Sequence, residues 1–109
     1  MTVAGFRRMA LSLPGVSEHS HRDHPDFRVS GKIFATLGYP DVSWGMIKLT
    51  PAQQKPLVAL HPKVFGAVSG GWGLRGATNV RLRYATARIL LPAMRQAWQN
   101  SASQRLQKE

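Results

Sequence analysis

The stretch FRVSGKIFATL, residues 27–37, carries the pattern of a β-hairpin. Apolar and polar side chains alternate on both sides of Ser30-Gly31, and glycine in a two-residue connection tolerates the positive φ that a tight turn needs. A register shift of one residue would turn every side chain to the other face, so the alternation assigns each residue a side. Arg28 and Lys32 are expected to reach solvent beside the turn. The apolar residues expected to face the core are Phe27, Val29, Ile33 and Leu37.

Further strand patterns lie outward from this hairpin. A short strand is expected at residues 17–22. A stronger one ends near residue 49, with alternating Val42, Trp44 and Met46. Residues 78–84 alternate again, with one face formed by Val80, Leu82 and Tyr84 and the other by Asn79, Arg81 and Arg83. These patterns predict an antiparallel sheet.

Three helices complete the predicted fold. The first spans residues 2–13, and the second runs from Thr50, its N-cap, to about residue 60. The third covers residues 86–101, where Pro92 is expected to bend or restart it; its predicted buried face comprises Ala87, Leu90, Met94 and Trp98. The sequence thus predicts one α+β domain over residues 1–100, in the order α-β-β-β-α-β-α, followed by a polar tail at 101–109 that frays.

Composition excludes several classes of protein. Hydrophobic residues make up 43% and charged residues 18% of the 109 residues, as in ordinary globular domains. The absence of cysteine removes disulfides, thiol catalysis and cysteine-ligated metal centres. Arg7 and Arg8 interrupt the first apolar stretch, so no signal peptide is expected there. No apolar run approaches the length of a membrane span. A cytoplasmic protein without a cofactor or membrane partner is expected.

Positive charge is concentrated in the second half of the chain. There are 15 Lys and Arg against 5 Asp and Glu, a net charge of +10. Residues 1–54 contribute +2 of this charge and residues 55–109 contribute +8. Such a field attracts polyanions, which leaves nucleic acid, an anionic membrane and an acidic protein as alternatives. A high pI without any specific partner is an equal alternative.

Residues 69–76, SGGWGLRG, match the G-x-G-x-x-G fingerprint of dinucleotide-binding loops. That loop should lead into a helix, whereas strand-forming residues follow Gly76, and no acid stands about twenty residues further on. The glycines are therefore interpreted as room for a tight fold around Trp72, a buried anchor whose replacement by alanine should lower the melting temperature. The alternative is an outward ring that stacks on a base, with Arg75 beside it.

Five segments, in this order, resemble the MmcQ/YjbR family: LPGV at 13–16, FRVSGKIFA at 27–35, KLTP at 48–51, GGWG at 70–73 and TNVRL at 78–82. The residues taken as the structural motif are Phe27, Gly31, Phe34, Gly71, Trp72 and Gly73. The sequence departs from the family at Ala77, where an aromatic residue is frequent, and at Pro92. The resemblance implies a compact α+β fold similar to type III secretion chaperones and CyaY-like proteins. It also implies DNA binding through a basic, double-winged surface, with no catalytic residue.

Six basic residues are candidates for phosphate contacts. Arg81 and Arg83 are expected on one strand face about 6.6 Å apart, close to the spacing of neighbouring phosphates. Arg75 precedes them in the glycine loop, and Arg88 shares a helix face with Arg95. The remaining two candidates flank the tip of the hairpin, which is expected to act as a wing; they are Arg28 and Lys32.

The sequence gives little support to metal binding or catalysis. His19, His21 and His24 lie close together but lack an established ligand spacing, so no metal site is expected. Ser69 has no identifiable base, and acids are too few to form a catalytic pair, so no enzyme is expected. The leading hypothesis is a sequence-tolerant DNA-binding protein. The alternative is a small interaction or chaperone-like module that binds a protein partner on its sheet or groove.

Overall fold

The computed structural model describes residues 1–108, which form one α+β domain. The helices are α1 (Val3–Leu11), α2 (Pro51–Leu60), α3 (Gly71–Leu74), α4 (Ala87–Ser101) and α5 (Gln104–Gln107). The strands are β1 (Ser17–His21), β2 (His24–Val29), β3 (Lys32–Leu37), β4 (Trp44–Lys48), β5 (Phe65–Ala67) and β6 (Ala77–Arg81). The predicted class is confirmed. The short strand expected at residues 17–22 is β1, although the predicted order α-β-β-β-α-β-α did not count it, and that order also lacked β5 and the one-turn helices α3 and α5.

All six strands join one antiparallel sheet in the order β1-β2-β3-β4-β6-β5. The first four strands follow one another as hairpins, and β6 then lies between β4 and β5. The β2–β3 turn is the expected one, because Ser30 and Gly31 both have positive φ, at 52° and 78°. The Arg22-Asp23 turn between β1 and β2 has the same two-residue form, with φ of 49° and 65°.

The predicted orientation of the hairpin is correct for three apolar residues and wrong for Ile33. Phe27, Val29 and Leu37 are buried. However, Phe27 pairs with Ala35 and Arg28 pairs with Ile33, which leaves Phe34 as an extra, fully buried residue on β3. This β-bulge reverses the alternation, so Ile33 lies on the opposite face of the sheet, with Arg28.

Helices α1 and α4 cover one face of the sheet, called here the inner face. Phe6 of α1 lies 6.1 Å from Phe27, measured between ring centroids, and both are fully buried. From α4, Leu90 and Met94 enter the same core, and the indole of Trp98 donates a hydrogen bond to the Pro14 carbonyl at 2.9 Å. Because α1 and α4 both lie on this side, the other face of β2, β3, β4 and β6 remains uncovered by them.

Two expectations for α4 are corrected. The helix continues without a break through Pro92, which is exposed, so the predicted restart does not occur. Ala87 is exposed as well, because it occupies the first turn, beyond the end of the buried stripe. That stripe runs at spacings of three and four and comprises Leu90, Ala93, Met94, Ala97 and Trp98.

The C-terminal segment is folded rather than frayed. The Ser103 hydroxyl caps α5 by accepting a hydrogen bond from the Leu106 backbone, and Leu106 packs against the core beside Gly15. The Ser103 backbone also donates to the Ser30 hydroxyl at 2.9 Å. This contact ties the tip of the β2–β3 hairpin to the C-terminal segment. The final residue of the predicted tail, Glu109, lies outside the described residues.

Candidate functional site

A concave surface of about 480 Å³ lies on the open face of the sheet; we call it the outer cleft. Its floor comes from strand residues that point away from the core, including Ile33, Met46 and Asn79. Met46 and Asn79 are directly opposite each other on β4 and β6 and therefore share a face. The hairpin residues His21, Arg22 and His24 line one part of the rim, and Lys48 and Trp72 line another.

Trp72 does not serve as a buried anchor: 61% of it is exposed. The prediction that its ring is tucked into the fold is therefore wrong, and the outward orientation of the alternative is correct; the stacking on a base stays a prediction. The ammonium nitrogen of Lys48 lies 5.5 Å from the ring centroid, and the guanidinium carbon of Arg75 lies 5.7 Å from it. Trp72 thus presents a ring accompanied by two cations at the rim of the outer cleft.

The glycines around Trp72 are required by backbone packing rather than by the ring. A Cβ atom on Gly73 would lie 1.6 Å from the carbonyl oxygen of Val68. Gly76 has a φ of 110°, and a Cβ there would lie 2.0 Å from the carbonyl oxygen of Leu49. The buried amide of Gln54 donates to the carbonyls of Gly73 and Ala77, at 3.2 and 2.9 Å. These contacts hold α3 in place and with it the orientation of Trp72.

The structure also removes the dinucleotide interpretation of this loop. The chain after Gly76 enters strand β6, as the sequence predicted. The segment itself contains only the four-residue helix α3. Its N-cap is Gly70, which has no side chain that could cap the helix. The fingerprint therefore lacks the long helix that holds a pyrophosphate in dinucleotide-binding folds.

Arg81 and Arg83 do not share a strand face. β6 ends at Arg81, and a 3-10 turn at Leu82–Tyr84 follows, closed by hydrogen bonds from the Ala85 backbone to the carbonyls of Arg81 and Leu82. Arg81 lies over the ring of Trp44, 4.8 Å from its centroid, and donates to two carbonyls in the turn between α2 and β5, those of Pro62 and Lys63. The predicted pair of phosphate contacts is thereby separated.

Arg88 belongs to a different layer of the molecule. It is exposed on α4, as is Arg95, and α4 packs against the inner face of the sheet. The outer cleft lies on the opposite face. Of the six basic residues predicted as one surface, the structure therefore places Arg75 beside Trp72 and Arg81 on the open face of the sheet, whereas Arg83 and Arg88 lie elsewhere.

Arg28 is engaged by a buried carboxylate. Its guanidinium donates to both oxygens of Asp26, at 2.7 and 3.2 Å, and Nδ1 of His21 lies 2.7 Å from the same carboxylate. The hydrogen bond from Arg28 lowers the pKa of Asp26 below its ordinary value, and His21 adds to this, although burial acts in the opposite direction. The same contact raises the pKa of Arg28. Much of the Arg28 charge is thus compensated within the protein.

The β2–β3 hairpin, which the sequence predicts to act as a wing, does not have a free tip. Lys32 is exposed at the β2–β3 tip, but that tip is bonded to the C-terminal segment through Ser30. In contrast, every residue of the edge strand β1 is exposed, and Arg22 in the β1–β2 turn lines the outer cleft. The tip of the β1–β2 hairpin therefore lies at the outer cleft, whereas the tip of the β2–β3 hairpin, predicted as a wing, does not line it.

The histidines serve local contacts. The Nε2 atom of His19 lies 2.9 Å from the Ser17 hydroxyl, His21 bonds to Asp26, and His24 packs edge-on against Tyr39. Within residues 1–108, no three His, Asp or Glu side chains are grouped so that they could hold a metal ion.

We expect the buried carboxylate to make stability depend on pH. Because the folded state lowers the pKa of Asp26, its contribution is present above the ordinary carboxylate pKa of about 3.9 and is lost as the pH falls through the lower folded-state value. Asp26→Asn should lower the free energy of unfolding by about 1–3 kcal/mol at neutral pH, and the deficit should shrink in acid. Urea unfolding as a function of pH measures both effects.

The control for this prediction is Glu18→Gln, because Glu18 pairs with Arg7 at 3.0 Å in a partly exposed position. It should change stability little at any pH. A deficit for Asp26→Asn that stays constant from neutral pH into acid would contradict the ionised buried carboxylate.

Sequence reasoning missed several residues of the outer cleft, above all Lys48, Arg22 and Asn79. The sequence predicts no contact for Lys48, which belongs there only to the KLTP segment that resembles the family. The alternation of Met46 and Lys48 around buried Ile47 was the available signal, since it places both side chains on the outward face of β4. No local pattern could have indicated that Lys48 meets Trp72, because 24 positions separate them in the chain.

The fold and the outer cleft define a small α+β protein whose sheet is covered by helices on one face and concave on the other. The model of the YjbR family matches residues 11–100, so the chain belongs to this family, and the resemblance of the five segments is confirmed. A crystal structure of the Deinococcus radiodurans protein DR2400, whose family-model domain is DUF419, is similar with a TM-score of 0.74 and 18% sequence identity. The similarity covers 98% of this chain and 86% of that one, and it supports the fold. No curated protein matches the chain.

Membrane insertion through a helix finds no support in the residues described. Within positions 1–108 every helix is too short, or too polar, to cross a bilayer.

Proposed function

We propose that this protein binds DNA, without catalysis and with little sequence preference, on the side of the sheet that carries the outer cleft. The observation that supports this most is the exposed ring of Trp72 with Lys48 and Arg75 beside it. Cations next to an exposed aromatic ring are the combination that nucleic-acid-binding surfaces use, because phosphates and bases are contacted together.

The distribution of acidic residues also favours a polyanionic ligand. No carboxylate among residues 1–108 lines the outer cleft, whereas Arg22 and Lys48 do. Three of the acids are engaged in ion pairs or hydrogen bonds: Glu18 with Arg7, Asp26 with Arg28 and His21, and Asp41 with Ser43. The fourth, Asp23, adjoins Arg22 in the β1–β2 turn. The positive charge is therefore least opposed at Lys48 and Arg75, which form no ion pair with a carboxylate among residues 1–108.

A salt titration tests this proposal. If three or four cations of the open face contact phosphates, the logarithm of the association constant should fall with the logarithm of the salt concentration with a slope of about −3 to −4. Fluorescence anisotropy with labelled DNA of unrelated sequences, at several salt concentrations, measures the slope and the sequence preference together. Absence of binding at low salt would refute the proposed function.

A protein partner is the second candidate, because much of the cleft floor is apolar. Ile33, Met46, Val68 and Ala77 all line it. A partner bound there would bury these side chains and would show a weaker salt dependence than DNA, since fewer counterions would be released.

A further inference from the structure

We infer that the outer cleft binds single-stranded DNA, with one unpaired base stacked on Trp72; this inference rests on the proposed function and specifies its ligand. In a duplex, the faces of the bases are already covered by their neighbours in the stack. A single strand exposes them, so only a single strand can use an aromatic ring fully.

Trp72 is largely exposed, and the segment that carries it is fixed by backbone contacts. Trp72 is 61% exposed, although the backbone that follows it packs closely on other segments, with Gly73 against Val68 and Gly76 against Leu49. The buried Gln54 amide bonds the segment to α2. A rigid support lowers the cost of ordering the ring when a base stacks on it.

The surroundings of the ring match the other parts of a nucleotide. Lys48 and Arg75, whose charged groups lie over the ring at 5.5 and 5.7 Å from its centroid, are long, flexible side chains that can turn from the ring to the phosphates that flank a stacked base. The volume of about 480 Å³ falls in the range of small-ligand sites and accommodates a base. On the floor, half-buried Asn79 has an amide that both donates and accepts hydrogen bonds. Arg22, on another part of the rim, extends the positive surface along the cleft.

The experiment compares three ligands of similar length and charge per strand: a thymidine 12-mer, an abasic deoxyribose-phosphate 12-mer and a 12-base-pair duplex. The thymidine 12-mer should bind at least about tenfold more tightly than the abasic 12-mer, since stacking adds to the phosphate contacts. Trp72→Ala should weaken binding of the thymidine 12-mer about 10- to 100-fold and change binding of the other two ligands less than about twofold. Trp72→Phe should retain most of the affinity, because the ring remains.

The melting temperature of Trp72→Ala should stay close to that of the wild type, because the ring is largely exposed, and it serves as the folding control. If both DNA forms bind but Trp72→Ala weakens them equally, or the thymidine 12-mer has no advantage over the abasic one, the inference is wrong and the proposed function stands. If none of the three ligands binds at low salt, both are wrong.

Discussion

Gly73→Ala should destabilise the protein by about 3 kcal/mol or more, which is a large part of the stability of a typical small domain. The added Cβ would lie 1.6 Å from the Val68 carbonyl oxygen, and this neighbour is backbone, which cannot rotate away as a side chain can. To relieve this clash, α3 would have to move away from Val68, the residue that follows β5. Such a movement would also break the hydrogen bond from Gln54 to the Gly73 carbonyl.

The matched control is Gly71→Ala, two residues earlier in the same helix. No atom lies within 4 Å of a Cβ at Gly71, and its φ lies outside the left-handed region. This variant should be neutral or more stable by up to about 1 kcal/mol, because alanine favours helix more than glycine does. Urea unfolding of both variants measures the difference. Equal stability of Gly73→Ala and Gly71→Ala would show that the close backbone contact does not exist in solution.

The largest functional effect is expected from reversing the charges beside Trp72. The double variant Lys48→Glu, Arg75→Glu should weaken DNA binding on the order of a hundredfold at about 0.1 M salt, since it removes two phosphate contacts and adds two repulsive charges. The slope of the logarithm of the association constant against the logarithm of the salt concentration should become less steep by about two, because fewer counterions are released. Anisotropy titrations at several salt concentrations give both numbers.

The control for the charge reversal is Arg88→Glu, Arg95→Glu on α4. It changes the net charge by the same amount, but both residues are exposed on the helical layer, on the other side of the sheet from the outer cleft. Its affinity for DNA should fall less than about threefold if binding is confined to the open face. Equal losses in the two double variants would mean that only the overall charge matters, and the assignment of the binding face would then be wrong.

Local sequence signals predicted the elements of this fold well. The Ser30-Gly31 turn has the expected positive φ values, and α2 begins with Thr50 as N-cap and with Gln53 completing a capping box. Each of these signals depends on residues at most three positions apart. Interactions of such short range can be read from the chain before the tertiary structure is known.

The errors arose where one backbone segment packs or pairs with another. The bulge at Phe34 changes the face of Ile33, and the pairing of two strands determines it. The exposure of Trp72 depends on what the surrounding glycines approach, namely Val68 and Leu49, and the sequence could not distinguish this from close packing on the ring. The candidate site was therefore predicted in part: Arg75 and the outward alternative for Trp72 were available, whereas Lys48 and the cleft depended on the tertiary fold.

The position of β6 in the sheet has a consequence during synthesis on the ribosome. β4 has β3 on one side and β6 on the other, but β6 follows it only after α2, β5 and α3. Until residues 77–81 emerge, β4 has an unpaired edge, with backbone donors and acceptors that a second nascent chain could join. Pairing with a second nascent chain should thus be possible from the time that β4 has emerged until β6 inserts beside it.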